Sequence, residues 1–140
     1  MPVLSRKVPD SILIPTKTKD EIEAAICEGI SRFEQGYMGW RLKNIHAYLI
    51  DDHILVRLQG VLSTAEQNLV KSVPAGKGWM LLKHARSQLI ETGWPRLEWM
   101  VKEAAGVKVL SLHYDISTVT GEEIVLFTLA ESPFPRNPKP

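Results

Sequence analysis

The sequence predicts an α+β fold: a four-stranded antiparallel sheet made of two hairpins, with helices packed mainly on one face, and dimeric. Three observations predict it. Two pairs of strand-like runs, Ile45 to Ile50 with Ile54 to Leu58 and Val107 to Ser117 with Glu123 to Ala130, each enclose a polar turn. Two capping boxes, Thr18-Lys19-Asp20-Glu21 and Ser63-Thr64-Ala65-Glu66, open helical patterns. The order helix, hairpin, helices, hairpin puts helical connections between the hairpins, which gathers the helices on one side of the sheet.

The elements follow in chain order. Residues 1–17 hold Pro2, Pro9 and Pro15 and no sustained period, so an extended arm is expected, with Ser11-Ile12-Leu13-Ile14 docking as a short edge strand. Ile22, Ala25, Ile26, Gly29, Ile30 and Phe33 recur at helical spacing, which predicts a helix over 19–35 ended by a left-handed Gly36. Tyr37 to Arg41 then reads as a loop. Asp51-Asp52-His53 joins the first two strands. The second helix ends before Pro74, and Ala75-Gly76-Lys77-Gly78 reads as a turn.

A helical segment over 79–105 places Leu82, Leu89, Ile90, Leu97, Val101 and Ala104 on a buried stripe, and Trp79 and Trp99 in the core or at its edge. Gly93-Trp94-Pro95 kinks or divides it, because proline lacks the amide that the preceding turn needs. Gly106 ends it. On the second strand Ile54, Val56 and Leu58 share one face and Leu55, Arg57 and Gln59 the other; on the fourth, Ile124, Leu126 and Thr128 oppose Val125, Phe127 and Leu129. A second sheet face this apolar calls for a cover, and a homodimer supplies one. The tail 132–140 carries four prolines and is expected to be disordered.

With 140 residues the chain suffices for one domain, expected over 18–131, that buries a core without metal or disulfide staples. A net charge of +1 excludes a global basic field, so no direct nucleic-acid binding is expected. The lone cysteine, Cys27, lies in an apolar helical pattern and reads as a small core residue of a cytoplasmic protein. No apolar run approaches the roughly 20 residues that span a bilayer, and the start Met1-Pro2-Val3-Leu4-Ser5-Arg6 lacks a signal-peptide core.

Catalytic signatures are missing: no G-x-S-x-G, no Walker loop, no dinucleotide-binding glycine fingerprint and no H-E-x-x-H. The expectation is a non-enzymatic protein with no catalytic residue and no cofactor. His46 and His113 would face each other if their strands paired, and with Asp115 could then ligate a metal, but exposed strand histidines are the commoner reading and no metal ligand is assigned. Gly76-Lys77-Gly78 is a weak phosphate-loop pattern, better read as a turn.

Tryptophan and arginine carry more. Trp40 and Arg41 stand together with Tyr37 three residues before, and a ring beside a guanidinium fork suits a purine base and its phosphate. The bland alternative is that Trp40 plugs the end of the core while Arg41 is solvated. Arg6 and Lys7 on the arm add cationic contacts, and Arg57 lies on the outer face of the second strand, near a dimer seam that would duplicate the set for a two-fold ligand.

Several blocks also resemble one family. Val56 to Glu66 looks like a strand, glycine and Leu-Thr/Ser-x-x-Glu helix start; His84-Ala85-Arg86 through Trp99-Met100-Val101 looks like a long Arg-containing helix; Gly106-Val107-Lys108-Val109 and the closing hairpin His113 to Leu129 complete the set. Together they resemble the MpsC-type family, named for a sodium-translocating, membrane-potential-generating system, over about 22–129. The loop Gly36-Tyr37-Met38-Gly39-Trp40-Arg41 departs from the small basic loop of that pattern and hints at a specialised branch, such as a cyclic-di-GMP receptor. The resemblance implies a small cytoplasmic protein associated with sodium- or inorganic-carbon-linked membrane systems and supplies no catalytic residues. Two functions are therefore expected. One is a nucleotide second-messenger receptor, for cyclic-di-GMP, signalling to a soluble regulator such as a transcription factor. The other is an accessory of a sodium or bicarbonate membrane transport system, with a transport subunit as partner.

Overall fold

A computed structural model describes residues 17–72, 74, 76–117 and 119–134. The expected N-terminal arm with its edge strand, Arg6 and Lys7 therefore lies outside the described residues. The elements run α1 (Lys19–Arg32), a π-helical extension (Phe33–Met38), β1 (Arg41–Ile50), β2 (His53–Val61), α2 (Thr64–Ser72), α3 (Lys77–Thr92), α4 (Trp94–Ala105), β3 (Val109–Ile116) and β4 (Glu122–Leu129).

The four strands form one antiparallel sheet in the order β1-β2-β4-β3, so each hairpin contributes one central and one edge strand. The Asp51-Asp52 turn closes on the Ile50–His53 pair, with Asp51 at φ 56°, a conformation that aspartate tolerates better than most residues. The helices cover one face. Ile54, Val56 and Leu58 of β2 and Val125, Phe127 and Leu129 of β4 are buried there, in register across the central pair. They meet Ile22, Ile26 and Ile30 of α1 and Leu97 and Val101 of α4 in a single core. The expected strand faces and the α+β class are observed.

Both capping boxes form. The Glu21 amide donates to the Thr18 hydroxyl at 3.1 Å and the Thr18 amide to Glu21 at 2.8 Å; Ser63 and Glu66 repeat the exchange at 3.1 and 2.9 Å. Gly93 divides the long helix into α3 and α4, with Pro95 in the first turn of α4, where a missing amide costs nothing. A Cβ at Gly93 would sit 2.7 Å from the Phe33 ring, so this break lets α1 and the α3–α4 corner approach closely.

Four expectations need correction. Gly36 does not end the first helix. The helix widens into π geometry and runs to Met38, and Gly39, at φ 75°, is the left-handed cap, its amide donating to the Glu34 carbonyl. Tyr37 and Met38 are consequently helical and Arg41 begins β1, so no loop spans 37–41. Likewise Lys77 and Gly78 belong to α3, and Gly76, its N-cap, adopts a left-handed conformation. Trp99 is 65% exposed, because α4 restarts the helical phase after Gly93 and buries Leu97 and Val101 instead, and Leu89 faces outward because it lies one position off the buried Leu82, Arg86 and Ile90 stripe of α3. Of the expected tail, residues 132–134 are described, with Phe134 packed against the core, and 135–140 lie outside the described residues.

Candidate functional site

Three ionisable residues occupy positions whose periodicity points them into the core. Ile22, Ile26, Ile30 and Glu34 follow one another at four-residue steps along α1 and its π extension. Leu82, Arg86 and Ile90 do the same on α3, and Glu123 alternates in phase with Val125, Phe127 and Leu129 on β4. All three are buried, with Arg86 at 1% exposure. A charge at such depth demands a partner. The fold supplies it by bringing α3 over the sheet end where β4 begins.

The Arg86 guanidinium donates through Nη1 to Glu123 Oε2 and through Nη2 to both Glu66 oxygens at 3.4 Å. Tyr114, the neighbouring inward residue on β3, donates its hydroxyl to Glu123 Oε1 at 2.8 Å. The Trp40 ring lies under the guanidinium, 3.8 Å from its carbon. Burial pushes the Glu123 carboxyl above its ordinary value, while Arg86 and Tyr114 pull it back. The guanidinium keeps its proton in proteins, so Glu123 faces a fixed positive charge that favours its ionised form against the burial. Burial and the Glu123 carboxylate raise the Tyr114 phenol, which therefore stays a donor.

Glu34 completes the cluster as its neutral member. Burial, then repulsion from Glu123, raises its carboxyl to about 8, so it is largely protonated at neutral pH. Its Oε1 and the Arg86 Nε are the two buried side-chain polar atoms without a hydrogen-bond partner among the described residues.

A second site lies where α1 meets α4. There Gly29, whose Cβ would strike Met100, lets α1 and α4 approach. The groove beside this contact has a volume of about 590 Å³ and is walled by Phe33, Tyr37, Pro95, Trp99 and Met100, with Arg32 and Arg96 at its rims. Tyr37 stacks on Phe33 at 5.0 Å, and the Arg96 guanidinium lies 5.5 Å from the Tyr37 ring.

The site residues read from the sequence are dispersed. Tyr37 lines the groove, whereas Trp40 packs on the core with one face covered by Arg86. Arg41 is exposed at the start of β1. Arg57 lies on the outer sheet face, ion-paired to Glu122 at 2.8 Å beside His46 and Tyr48. The His46–His113 metal alternative is overturned: β1 and β3 are the two edge strands, His46 pairs with Arg57 and His113 with Leu126. Three inter-strand steps set those edges about 14 Å apart. Among the described residues no group of three metal-ligating side chains converges. Cys27 is half-buried beside the core, its thiol raised by burial.

Sequence reasoning passed over Glu34, Arg86 and Glu123, although the signal was present: each interrupts an apolar series at a buried phase. Arg32, Arg96 and Trp99 gave no comparable signal, because only the α1–α4 crossing assembles them.

The family model described as "Na+-translocating membrane potential-generating system (MpsC)" matches residues 18–131. A curated relative, the uncharacterized protein YbcI of Bacillus subtilis (strain 168), is 34% identical over 113 residues, which is 81% of this chain and 89% of that relative. No solved structure matches the chain.

Proposed function

The chain belongs to the MpsC family, and from that premise and the α1–α4 groove we propose that it is a non-enzymatic regulatory protein that binds a nucleotide second messenger. The observation that carries the proposal is the groove: an apolar trough of about 590 Å³ with a Tyr37 ring, a Trp99 ring and two guanidinium groups at its edges. Aromatic faces stack on a purine, and guanidinium forks take phosphate or the guanine edge. Cyclic-di-GMP offers both chemistries, and Arg6 and Lys7 of the arm would add charge to its phosphates. Loading would alter the grip on a soluble regulator such as a transcription factor. Arg41 and Arg57 do not wall the groove and serve as controls.

Calorimetric titration with cyclic-di-GMP and with mononucleotides tests this reading. Binding is expected, and Arg96→Ala should weaken it by roughly one order of magnitude, the worth of one charge-assisted contact. Arg41→Ala should leave it unchanged. Absence of binding for all nucleotides, or indifference to Arg96→Ala, overturns the reading.

A second reading is favoured by the family's description: an accessory of a sodium-translocating membrane system. Among the described residues no helix is long and apolar enough to cross a membrane, so such a role would be exerted by contact with a membrane subunit. Recovery of membrane transport subunits by cross-linking would favour it over recovery of a soluble regulator.

A further inference from the structure

Arg86 is only partly used by the protein around it. A guanidinium offers two double-donor edges. Nη1 is engaged by Glu123, on the far side from the edge that Nε and Nη2 share. On that shared edge Nε has no partner among the described residues, and Nη2 reaches Glu66 only at 3.4 Å, well beyond the 2.7–2.9 Å of a charge-assisted bond. Buried donors are rarely left so poorly served. Arg86 also forms part of the wall of a cavity of about 320 Å³, with Lys43, Gln59, Trp79, Thr120 and Gly121 around it.

We propose that this cavity is a receptor for a small oxyanion, phosphate or carboxylate, held on the Nε–Nη2 edge of Arg86 in exchange for Glu66. The donors suit it: a flat two-pronged edge, the Lys43 ammonium, the Gln59 amide and the Thr120 hydroxyl. The charges suit it as well. Arg86 and Lys43 balance Glu123 and Glu66, and Glu34 is neutral, so turning Glu66 out to solvent leaves one positive charge for the incoming anion. Glu66 is free to turn. It keeps its other role at the start of α2, accepting from the Ser63 amide at 2.9 Å, and none of the described side chains of α2 is buried. Anion binding would therefore release the Glu66 side-chain tether between α2 and α3.

The test follows the Arg86 Nε–Hε resonance of ¹⁵N-labelled protein during titration with inorganic phosphate and, separately, acetate, with chloride at equal ionic strength as the reference. A saturable shift with phosphate or acetate and none with chloride is expected, and the stronger arm identifies the class of oxyanion. Glu66→Gln retains the reciprocal cap but removes the competing charge, and should tighten binding about three- to tenfold. Lys43→Met should weaken it by a similar factor, about three- to tenfold. Arg86→Lys keeps the charge without the fork and should abolish binding; if that variant does not fold, the opposite responses of Glu66→Gln and Lys43→Met decide. An unmoved or non-saturable resonance, or affinities indifferent to both substitutions, overturns the proposal. The cavity shares no wall with the α1–α4 groove, so this result stands apart from nucleotide binding there.

Discussion

Arg86, Glu123 and Glu34 are positions where a single substitution should change stability strongly, because each is ionisable and buried. Removing one member of a buried pair strands the other, so Arg86→Met should destabilise by about 3–5 kcal/mol. Replacing both Arg86 and Glu123 by apolar residues of similar volume should recover much of that loss, which denaturant melts of the single and double variants will read. Glu34 has a different signature. Its folded carboxyl titrates near 8 and its unfolded one near 4.5, so the folded state holds more protons between those values. Its contribution to stability is present below pH 4.5 and is lost as pH rises towards 8, at no more than about 1.4 kcal/mol per pH unit. Glu34→Gln should flatten this part of the stability–pH curve and raise stability at pH 8. An unchanged slope would mean that Glu34 ionises freely in the native state.

At the scale of elements, the domain depends on where helices stop. Gly39 at φ 75° turns the chain from the π extension into β1 and carries Trp40 beneath Arg86. Alanine there has open space for its methyl but an unfavourable backbone, so Gly39→Ala should cost about 1 kcal/mol. Gly93 presents the opposite case. Its φ of −87° suits any residue, yet a Cβ would press on Phe33 at 2.7 Å and Tyr37 at 3.0 Å. Gly93→Ala should therefore cost more than Gly39→Ala, by overpacking worth about 1–3 kcal/mol, and should disturb the groove that Tyr37 lines. Thermal melts of the two variants rank them directly.

At the scale of the molecule, the outer sheet face is the unfinished surface. Ile50 is 57% exposed, and Tyr48 and Ile124 are also open to solvent, with Leu55 and Leu126 half-buried between them. A homodimer across this face remains a proposal, and a charged substitution at its centre tests it. If two copies pack here, sedimentation of the unmodified chain at micromolar concentration should give a dimer and Ile124→Glu a monomer. Sedimentation of both as monomers would leave the face to another partner. Because Ile124 faces away from the core, its substitution should leave the fold intact.

The sequence by itself determined much of the local structure, though not where the first helix ends. Capping boxes at Thr18 and Ser63, the break at Gly93 and the alternation of β2 and β4 are set by neighbours within a few residues, and each appears where the pattern placed it. Arg86 and Glu123 show the boundary of that knowledge. Their phases mark them as buried, but that they meet across 37 positions, over Trp40 and beside Tyr114, depends on which strands pair and how α3 lies on the sheet. The same holds for His46 and His113, which looked like candidates to face each other until the strand order put them on opposite edges. Periodicity reports which side of an element is dry; it carries no term for which elements become neighbours, and both candidate sites are built from neighbours.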